Sequence, residues 1–429
     1  MRILFLTNFY PPYELGGMGQ SCQQVVEGMR VAGHETAVLT SMHGVSNIPT
    51  NDGDVYRWLF LEMDFEPWKQ AFRFFLDRKK REALNLQRFS ELTQAWRPDL
   101  IFIWGMWNLP RSIAAMAEEQ FPGRVVYRFA DYWPTLPSQY LLYWQKPGRT
   151  WFSRIPKTIL GLLAKVILSF DRQPDLKFEH AMCVSAATRD ALVAAGIPVS
   201  GARVIHTGMD SSRWLPEAFK PVWSPESGPL NLLYAGRMAP YKGVETTIEA
   251  VRLLVIDQDR QSVRLDLAGG GAPGYMTALR RKVARAGIEN IVRFLGVIPQ
   301  ESMPDLMHQH DVLLVPSTWE EPLARVVLEG MAAGLVVIGT HLGGTKEIIQ
   351  HGENGLLVSP GDAEELARSI TGLIESPATW QRIIENGRRT VTENFTVEKM
   401  MAQIEAYLVE VWLSSTSAQA SEILEAQLT

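Results

Sequence analysis

The sequence predicts an α/β protein with two domains, each built on a doubly wound parallel sheet. The chain has 429 residues, which is too long for one ordinary hydrophobic core. In both halves, short and continuously apolar runs alternate with helical patterns, as parallel strands do when helices cover both faces of their sheet. A stretch rich in proline and serine, 219–229, separates the two series and is typical of a linker.

The first half begins with a buried strand and alternates regularly from there. Its predicted strands are 2–8, 36–40, 99–104, 124–130 and 181–185. Helical patterns lie between these strands at 20–33, 68–96 and 110–120. Gly33 stands where the C-terminal cap of the first helix is expected.

The second half repeats this alternation. Its predicted strands are 231–236, 263–271, 291–296, 311–317, 335–340 and 355–360. We therefore predict one domain at 1–210, a second at 225–395, and a C-terminal segment at 396–429 that begins with an amphipathic helix.

The composition excludes several classes of protein. Hydrophobic residues make up 46% of the chain and charged residues 21%, which is typical of a soluble globular protein. A net charge of -5 argues against a nucleic-acid partner. The two cysteines, Cys22 and Cys183, exclude a disulfide framework and favour a reducing, cytoplasmic compartment. The apolar start is too short for a signal peptide, and the best candidate for a membrane span, 158–170, contains Lys165.

Ligands of open α/β sheets bind beyond the carboxyl ends of the strands, so the loops that follow strands are the candidate sites. Gly16, Gly17 and Gly19 follow the first strand and precede a helix, where the backbone can approach an anion. The pattern completes no known phosphate-binding motif, so an ordinary strand–helix turn is an equally good interpretation. Arg237 and Lys242 share the loop after the second half's first strand, where they would suit a diphosphate or form a solvated basic turn.

One predicted helix of the second half carries two carboxylates. Pro322 suits the first helical position, which would put Glu321 at the helix mouth and leave the amides of Leu323 and Ala324 pointing at a ligand. Glu329 follows nearly two turns later among apolar neighbours, where an ionised carboxylate needs hydrogen-bond donors such as sugar or ribose hydroxyls. Alternatively, Glu321 complements the helix dipole and Glu329 is simply exposed.

The sequence gives no sign of a metal or a cofactor. The histidines and cysteines form no cluster with metal-ligand spacing, and there is no nucleophile elbow or Cys–His arrangement. We therefore predict that the chain needs neither.

Successive stretches of the chain resemble, in order, the signatures of the retaining glycosyltransferases of family 4, which have the GT-B fold. These stretches are 8–19, 30–40, 184–192, 204–210, 234–243, 294–334 and 343–362. The resemblance covers nearly the whole chain and is more specific in the carboxyl half. It implies two Rossmann-like domains that face a central cleft, with the C-terminal helix crossing back onto the first domain.

The resemblance also implies an activity. Family members transfer a sugar, often a hexose, from a nucleotide-diphosphate sugar of the UDP, GDP or ADP type to a hydroxyl acceptor, with retention and generally without a metal. Arg237 and Lys242 would hold the donor diphosphate, and Gly16 and Gly17 would bring backbone amides to the distal phosphate. Further donor contacts implied by the family are Glu321 on the transferred sugar, Glu329 on the ribose, the amides of Leu323 and Ala324, and Val297 and Ile298 beside the base.

The chain departs from the family pattern at three positions. Members usually carry an aromatic residue at the place of Leu323 and a glycine at the place of Ala324, so the donor pocket is expected to be narrower here. Many members have a histidine at the place of Ala130, just before Asp131. Asp131 is retained and would orient substrate hydroxyls, or would only cap its loop.

The acceptor side is less defined. The segment 132–170 is aromatic and locally basic, which suits contact with anionic lipid or a lipid-linked acceptor at the inner face of a membrane, or equally a packed acceptor-side helix. The acceptor would be a glycan, a lipid-linked glycan or a small molecule. Two other functions stay open. The chain could be a sugar-nucleotide epimerase, which would need acid and base groups around the sugar. It could also be a non-catalytic sugar-nucleotide-binding protein, because Ala130 stands where many members have a histidine.

Overall fold

The computed structural model describes residues 1–13, 17–45, 50–63, 70–148, 151–171, 173–215, 222–258 and 262–428. The chain divides into two compact units. The first consists of Met1–Cys183, Arg189–Ile205 and Met401–Thr429, and the second of Val184–Thr188 and His206–Met400.

The first unit is built on a sheet of eight strands within its described part. The strands are β1 (Arg2–Thr7), β2 (Glu35–Ser41), β3 (Thr50–Asp52), β4 (Val55–Leu59), β5 (Leu100–Gly105), β6 (Val125–Phe129), β7 (His180–Cys183) and β8 (Arg203–Val204). Their order is β3-β4-β2-β1-β5-β6-β7-β8, and all neighbours are parallel except β3 and β4. Every residue of β5 and β6 is buried, because helices cover both faces of a parallel sheet.

The helices of the amino-terminal half follow the predicted alternation. They are α1 (Gly17–Val31), α2 (Gln70–Leu76), α3 (Arg78–Trp96), α4 (Arg111–Gln120), α5 (Gln139–Gln145), α6 (Trp151–Phe170) and α7 (Ala186–Ala194). The pattern predicted as one helix at 68–96 is two helices that break at Asp77. The prediction also missed β3, β4 and β8, because β3 and β8 have only three and two residues and β4 has the charged Arg57 at its centre.

The second unit has a sheet of six parallel strands in the part that the structure describes. The strands are β9 (Leu230–Ala235), β10 (Val263–Ala268), β11 (Val292–Gly296), β12 (Val312–Val315), β13 (Val336–Thr340) and β14 (Leu356–Val358), in the order β11-β10-β9-β12-β13-β14. Both sides are covered by helices α8 (Val244–Arg252), α9 (Pro273–Ala286), α10 (Met303–His308), α11 (Arg325–Ala333), α12 (Thr345–Ile348), α13 (Ala363–Glu375) and α14 (Pro377–Asn394).

The long C-terminal helix α15 spans Val397–Leu428, and from Met401 onward it belongs to the first unit. There, Glu405 lies 3.1 Å from Nε2 of His34, and the carboxylate of Glu410 accepts two hydrogen bonds of 2.6 and 2.7 Å from Arg203. The guanidinium of Arg203 also stacks on the ring of Tyr407, 4.5 Å from its centroid. Through these contacts, α15 packs against strands and turns of the first unit that are distant in sequence.

The predicted linker at 219–229 is described only from residue 222 onward, and there it is part of the second unit's core. Trp223 is buried and stacks on Trp380, with 5.9 Å between the ring centroids. The linker interpretation is therefore wrong for this half of the segment. The proline and serine content of the segment is typical of a linker, but the large apolar side chain of Trp223 packs this segment against α14.

Candidate active site

The second unit brings two loops together at the carboxyl ends of the neighbouring strands β9 and β12. Lys242 lies in the loop after β9, and Gly243 ends that loop with φ at +72°. A Cβ on Gly243 would lie 1.7 Å from the carbonyl oxygen of Pro316 in the loop after β12. Only glycine allows this close approach. The amide of Thr318 also donates to the carbonyl of Tyr241 (2.9 Å), which fixes the two loops side by side.

This contact places Lys242 against Glu321. Nζ of Lys242 lies 2.6 Å from Oε1 and 2.7 Å from Oε2 of the carboxylate. The side chains are 23% and 12% exposed, respectively, so water screens the pair only weakly. The buried hydroxyl of Ser317 donates a further short hydrogen bond to Oε1 of Glu321. Two residues predicted separately from sequence thus form one charged centre.

Two aromatic rings border the charged centre. Tyr241 and Trp319 meet edge to face with 5.6 Å between their ring centroids. Nζ of Lys242 lies 5.8 Å from the Trp319 ring and 6.0 Å from the Tyr241 ring, within the range of cation–π attraction. Ser317, Tyr241 and Trp319 were not predicted as site residues, although all three lie in the two loops that the sequence indicated.

The helix start was predicted wrongly. Helix α11 begins at Arg325 and has Ala324 as its N-terminal cap, so Pro322 is not its first residue. The chain is irregular from Glu321 to Ala324, with a bend at Pro322, and a third loop packs against it there. The amide of Gly344 donates to the carbonyl of Glu321 (2.7 Å), and a Cβ on Gly344 would lie 2.2 Å from the carbonyl oxygen of Pro322. Glu321 therefore stands on a loop rather than at the first turn of the helix.

Glu329 lies on the second turn of α11, in an environment that disfavours its charge. Burial raises the pKa of its carboxyl, and the cation of Arg325, one turn earlier, partly opposes that rise. A buried carboxyl of this kind gains from hydroxyl donors supplied by a ligand.

The remaining donor-side residues of the second unit lie on its loops. Arg237 is exposed on the same loop as Lys242, and no ion pair to its guanidinium occurs within the described residues. Val297 is 78% exposed after β11, whereas Ile298 is half-buried. A Cβ on Gly270 would lie 2.8 Å from Val297, so the loops after β10 and β11 are adjacent.

The candidate residues of the first unit lie at the carboxyl ends of its own strands. Gly16 lies outside the described residues, and Gly17 is the exposed first residue of α1. Asp131 is the second residue after β6 and accepts a hydrogen bond of 3.2 Å from the amide of Trp133. Burial raises the pKa of Asp131 to about 6, although that hydrogen bond opposes the rise.

A polar cavity of about 290 Å³ opens in the first unit beside the ends of β4 and β5. Its wall includes the carboxyl of Glu62, which is 7% exposed and accepts a hydrogen bond of 2.7 Å from the amide of Gln139. Burial raises the pKa of Glu62 to about 7. Arg111, the first residue of α4, also lines the cavity and donates to the carbonyls of Pro134 (2.7 Å) and Leu136 (2.9 Å). Glu62 was not predicted from the sequence, because the strand β4 that precedes it was not predicted.

Comparison with known families decides the class of protein. Residues 217–390 match the model for glycosyl transferases group 1, and residues 15–213 match the model for glycosyltransferase family 4. The two matches together span nearly the whole chain. The chain belongs to the group 1 glycosyltransferases of the family 4 type. The suspected family is therefore confirmed, and neither the epimerase nor the non-catalytic alternative is favoured by these matches.

This glycosyltransferase is similar to one relative over nearly its whole length and to another over less than half of it. It is 26% identical to the glycogen synthase of Mycobacterium tuberculosis (strain ATCC 25618 / H37Rv) over 428 residues, which cover 94% of each chain. It is 32% identical to the N-acetyl-alpha-D-glucosaminyl L-malate synthase of Bacillus anthracis over 180 residues, which are 42% of this chain and 45% of that protein.

Solved structures confirm the fold class. Sucrose-phosphate synthase from Thermosynechococcus elongatus has a TM-score of 0.70 at 20% identity, covering 96% of this chain and 99% of its own. Anabaena HepE in complex with UDP has a TM-score of 0.66 at 22% identity, covering 96% and 100%. The glycosyltransferase is thus an α/β protein of the GT-B class with two Rossmann-like, mainly parallel sheets.

The described residues contain neither a candidate metal-binding cluster nor a candidate membrane-spanning helix. No group of three or more histidine, cysteine, aspartate or glutamate side chains there could hold a metal ion. No helix in that part of the chain is both long and apolar enough to cross a membrane.

Proposed function

We propose that this glycosyltransferase moves a sugar from a nucleotide-diphosphate sugar to a hydroxyl acceptor with retention at the anomeric carbon. The paired Lys242 and Glu321, at the carboxyl ends of adjacent strands, carry the proposal. A cation suits the diphosphate and a carboxylate suits the sugar hydroxyls. Arg237 offers a second cation on the same loop. The structural similarity to HepE, which was solved with UDP and with UDP-glucose, supports a nucleotide-sugar donor.

The Lys242–Glu321 pair suggests how the donor would be received. A lysine ammonium has three hydrogens, and the carboxylate of Glu321 takes two of them. The third can point to a phosphate oxygen without breaking the pair. Lys242 would then link the diphosphate to Glu321, whose remaining lone pairs would accept hydroxyls of the transferred sugar.

The chemistry follows from where charge develops. As the bond between the anomeric carbon and the phosphate oxygen breaks, its electron pair moves to the diphosphate and positive charge builds on the sugar. Arg237 and Lys242 stabilise the diphosphate electrostatically, and Glu321 faces the sugar. The acceptor oxygen forms the new bond on the same face while its proton passes to the leaving phosphate. This front-face step rests on the resemblance to the retaining family, and it uses no metal or other cofactor.

The nucleoside would extend from the diphosphate along the second unit. Glu329 would accept the ribose hydroxyls, which would offset the cost of its buried charge. Val297 and Ile298 would flank the base, and the amides of Leu323 and Ala324 would contact the sugar or phosphate. Ala324, the N-terminal cap of α11, is buried, and its methyl group would narrow the pocket around the sugar.

The acceptor would bind to the first unit, with Asp131 orienting hydroxyls. The polar cavity beside Glu62 and Arg111 offers both acceptors and donors of hydrogen bonds, as a polyhydroxylated molecule requires. A glycan, a lipid-linked glycan or a small glycoside would meet this requirement. We place the enzyme in the cytoplasm, as a peripheral protein at the inner face of the membrane.

A thermal-shift titration with UDP, GDP and ADP tests the donor class. A ligand that binds only the folded state adds about 2.7 kcal/mol of stability at 100 times its dissociation constant, so one of the three should raise the melting temperature clearly. Transfer from the matching nucleotide-sugar would then be followed by release of the free nucleotide, and the anomeric configuration of the product would be read by NMR. If none of the three nucleotides raises the melting temperature, the proposed donor site is wrong.

A further inference from the structure

Helix α6 of the first unit presents an apolar stripe to solvent. The stripe consists of side chains that are between 52% and 82% exposed: Ile155, Ile159, Leu162, Leu163, Val166 and Phe170. Successive residues of an α-helix are about 100° apart, so all six fall within about 100° of the helix circumference. So much apolar surface on one continuous face is unusual for a soluble monomer and marks an interaction site.

The opposite side of α6 holds the helix to the rest of its unit. Ala164 is fully buried, and a Cβ on Gly161 would lie 3.2 Å from the carbonyl oxygen of Trp144 in α5. Nζ of Lys157 lies 4.1 Å from the ring centroid of Tyr143. The helix is therefore anchored through its other face, and the stripe is not needed for this packing.

The charges beside the stripe indicate what it meets. Arg154 and Lys165 are exposed and lie on the same flank of α6, about 20° apart around the axis at 100° per residue. The twenty residues of α6 include Arg154, Lys157 and Lys165 and no aspartate or glutamate. An apolar face with a basic flank matches the surface of a membrane, where acyl chains lie beneath anionic headgroups.

A second copy of the chain fits this surface less well. A symmetric contact would pair the same face with itself and bring its cations together without a carboxylate on the helix to balance them. A span across the membrane is also disfavoured, because one face of α6 packs on α5 and no helix among the described residues has the apolar length for it.

We propose that α6 is a membrane-docking helix that lies in the plane of an anionic membrane surface, with Ile159 and its neighbours inserted among the lipids. The inference deepens the proposed peripheral location and rests on the proposed function only for its biological setting. It also implies that the first unit's substrate is met at a lipid surface.

Binding to vesicles tests the proposal without any substrate. The full chain is mixed with vesicles of phosphatidylcholine alone or with added phosphatidylglycerol, and the bound fraction is measured by flotation. We expect binding to the anionic vesicles that weakens as salt is added. The variant Ile159→Gln should bind roughly tenfold more weakly, since a buried isoleucine side chain is lost from the lipid contact. Lys165→Gln should bind roughly fivefold more weakly.

The control is Ile256→Gln, which changes a similarly exposed isoleucine in the second unit. It should bind vesicles as the unchanged chain does, and all variants should keep their melting temperature because the altered side chains are exposed. Failure to bind anionic vesicles, or equal binding by Ile159→Gln, overturns the proposal. A third outcome also overturns the proposal: the chain forms a dimer without vesicles, and Ile159→Gln dissociates this dimer but leaves vesicle binding unchanged. The stripe would then be a protein interface. Nucleotide binding is scored separately, so a failed donor assay does not bear on this result.

Discussion

Replacing Lys242 with methionine should show how much the Lys242–Glu321 ion pair contributes to stability. At 2.6 Å and an effective dielectric constant of about 20, the attraction between the two charges is about 6 kcal/mol before desolvation is subtracted. Loss of one partner of a fully buried pair typically costs about 3–5 kcal/mol. Glu321 keeps the hydroxyl of Ser317 and some contact with water, so we expect Lys242→Met to lower the free energy of unfolding by about 2 kcal/mol.

A double-mutant cycle isolates the pair itself. The single variants Lys242→Met and Glu321→Gln and the double variant are unfolded in urea, and their free energies of unfolding are compared. The double variant should be more stable than the sum of the single effects predicts, by about 1–2 kcal/mol, because no unpaired charge remains in it. Additive effects would refute the ion pair.

Nucleotide binding separates the second role of Lys242. Loss of a charge-assisted bond to phosphate should weaken the binding of the matching nucleoside diphosphate by about 2 kcal/mol, or roughly thirtyfold, measured by titration calorimetry. Arg237→Met is the matched control: it should weaken nucleotide binding similarly but change stability by less than about 0.5 kcal/mol, since Arg237 is exposed. Unchanged nucleotide affinity in Lys242→Met would show that this lysine does not hold the phosphates.

Three further predictions follow from individual residues. Burial raises the pKa of Glu62 from 4.5 to about 7, so the native state loses stability as the pH rises through that window. Glu62→Gln should therefore raise the free energy of unfolding by up to about 3 kcal/mol at pH 8 and by little below pH 4.5. An effect of equal size at both pH values would contradict the raised pKa of Glu62. Gly243→Ala should destabilise the protein by about 2–4 kcal/mol in urea unfolding, because its Cβ would clash with the carbonyl oxygen of Pro316. The control Gly287→Ala has a similar φ of +68° and no atom within 4 Å of the added Cβ, so it should cost only about 1 kcal/mol. Equal costs for the two variants would exclude a steric cause. Glu329→Gln should weaken the binding of the matching nucleoside diphosphate by about 1 kcal/mol, measured by calorimetry, and should leave the affinity for inorganic diphosphate unchanged. A similar loss of affinity for both ligands would show that Glu329 does not bind the ribose.

Much of the fold is encoded locally, and local patterns predicted it. Continuous apolar runs such as 2–8 and 231–236 form the buried strands β1 and β9, because only a sheet covered on both faces buries every side chain of a strand. The same logic located Lys242 and Glu321 without any structure, since ligands of open α/β sheets bind at the carboxyl ends of strands. Glu62 was not predicted in this way, because the short strand β4 before it has a charged residue, Arg57, at its centre and so is not a continuous apolar run.

The sequence by itself determined the class of fold, the order of most elements and the loops that carry the charged side chains. Only the tertiary structure decided that Lys242 and Glu321, 79 residues apart, form one ion pair, because their contact depends on the close approach of Gly243 to the loop after β12. It likewise decided that α11 starts at Arg325, that Trp223 is buried, and which face of α6 meets solvent. Each of these depends on contacts between segments distant in sequence, and local periodicity carries no information about such contacts.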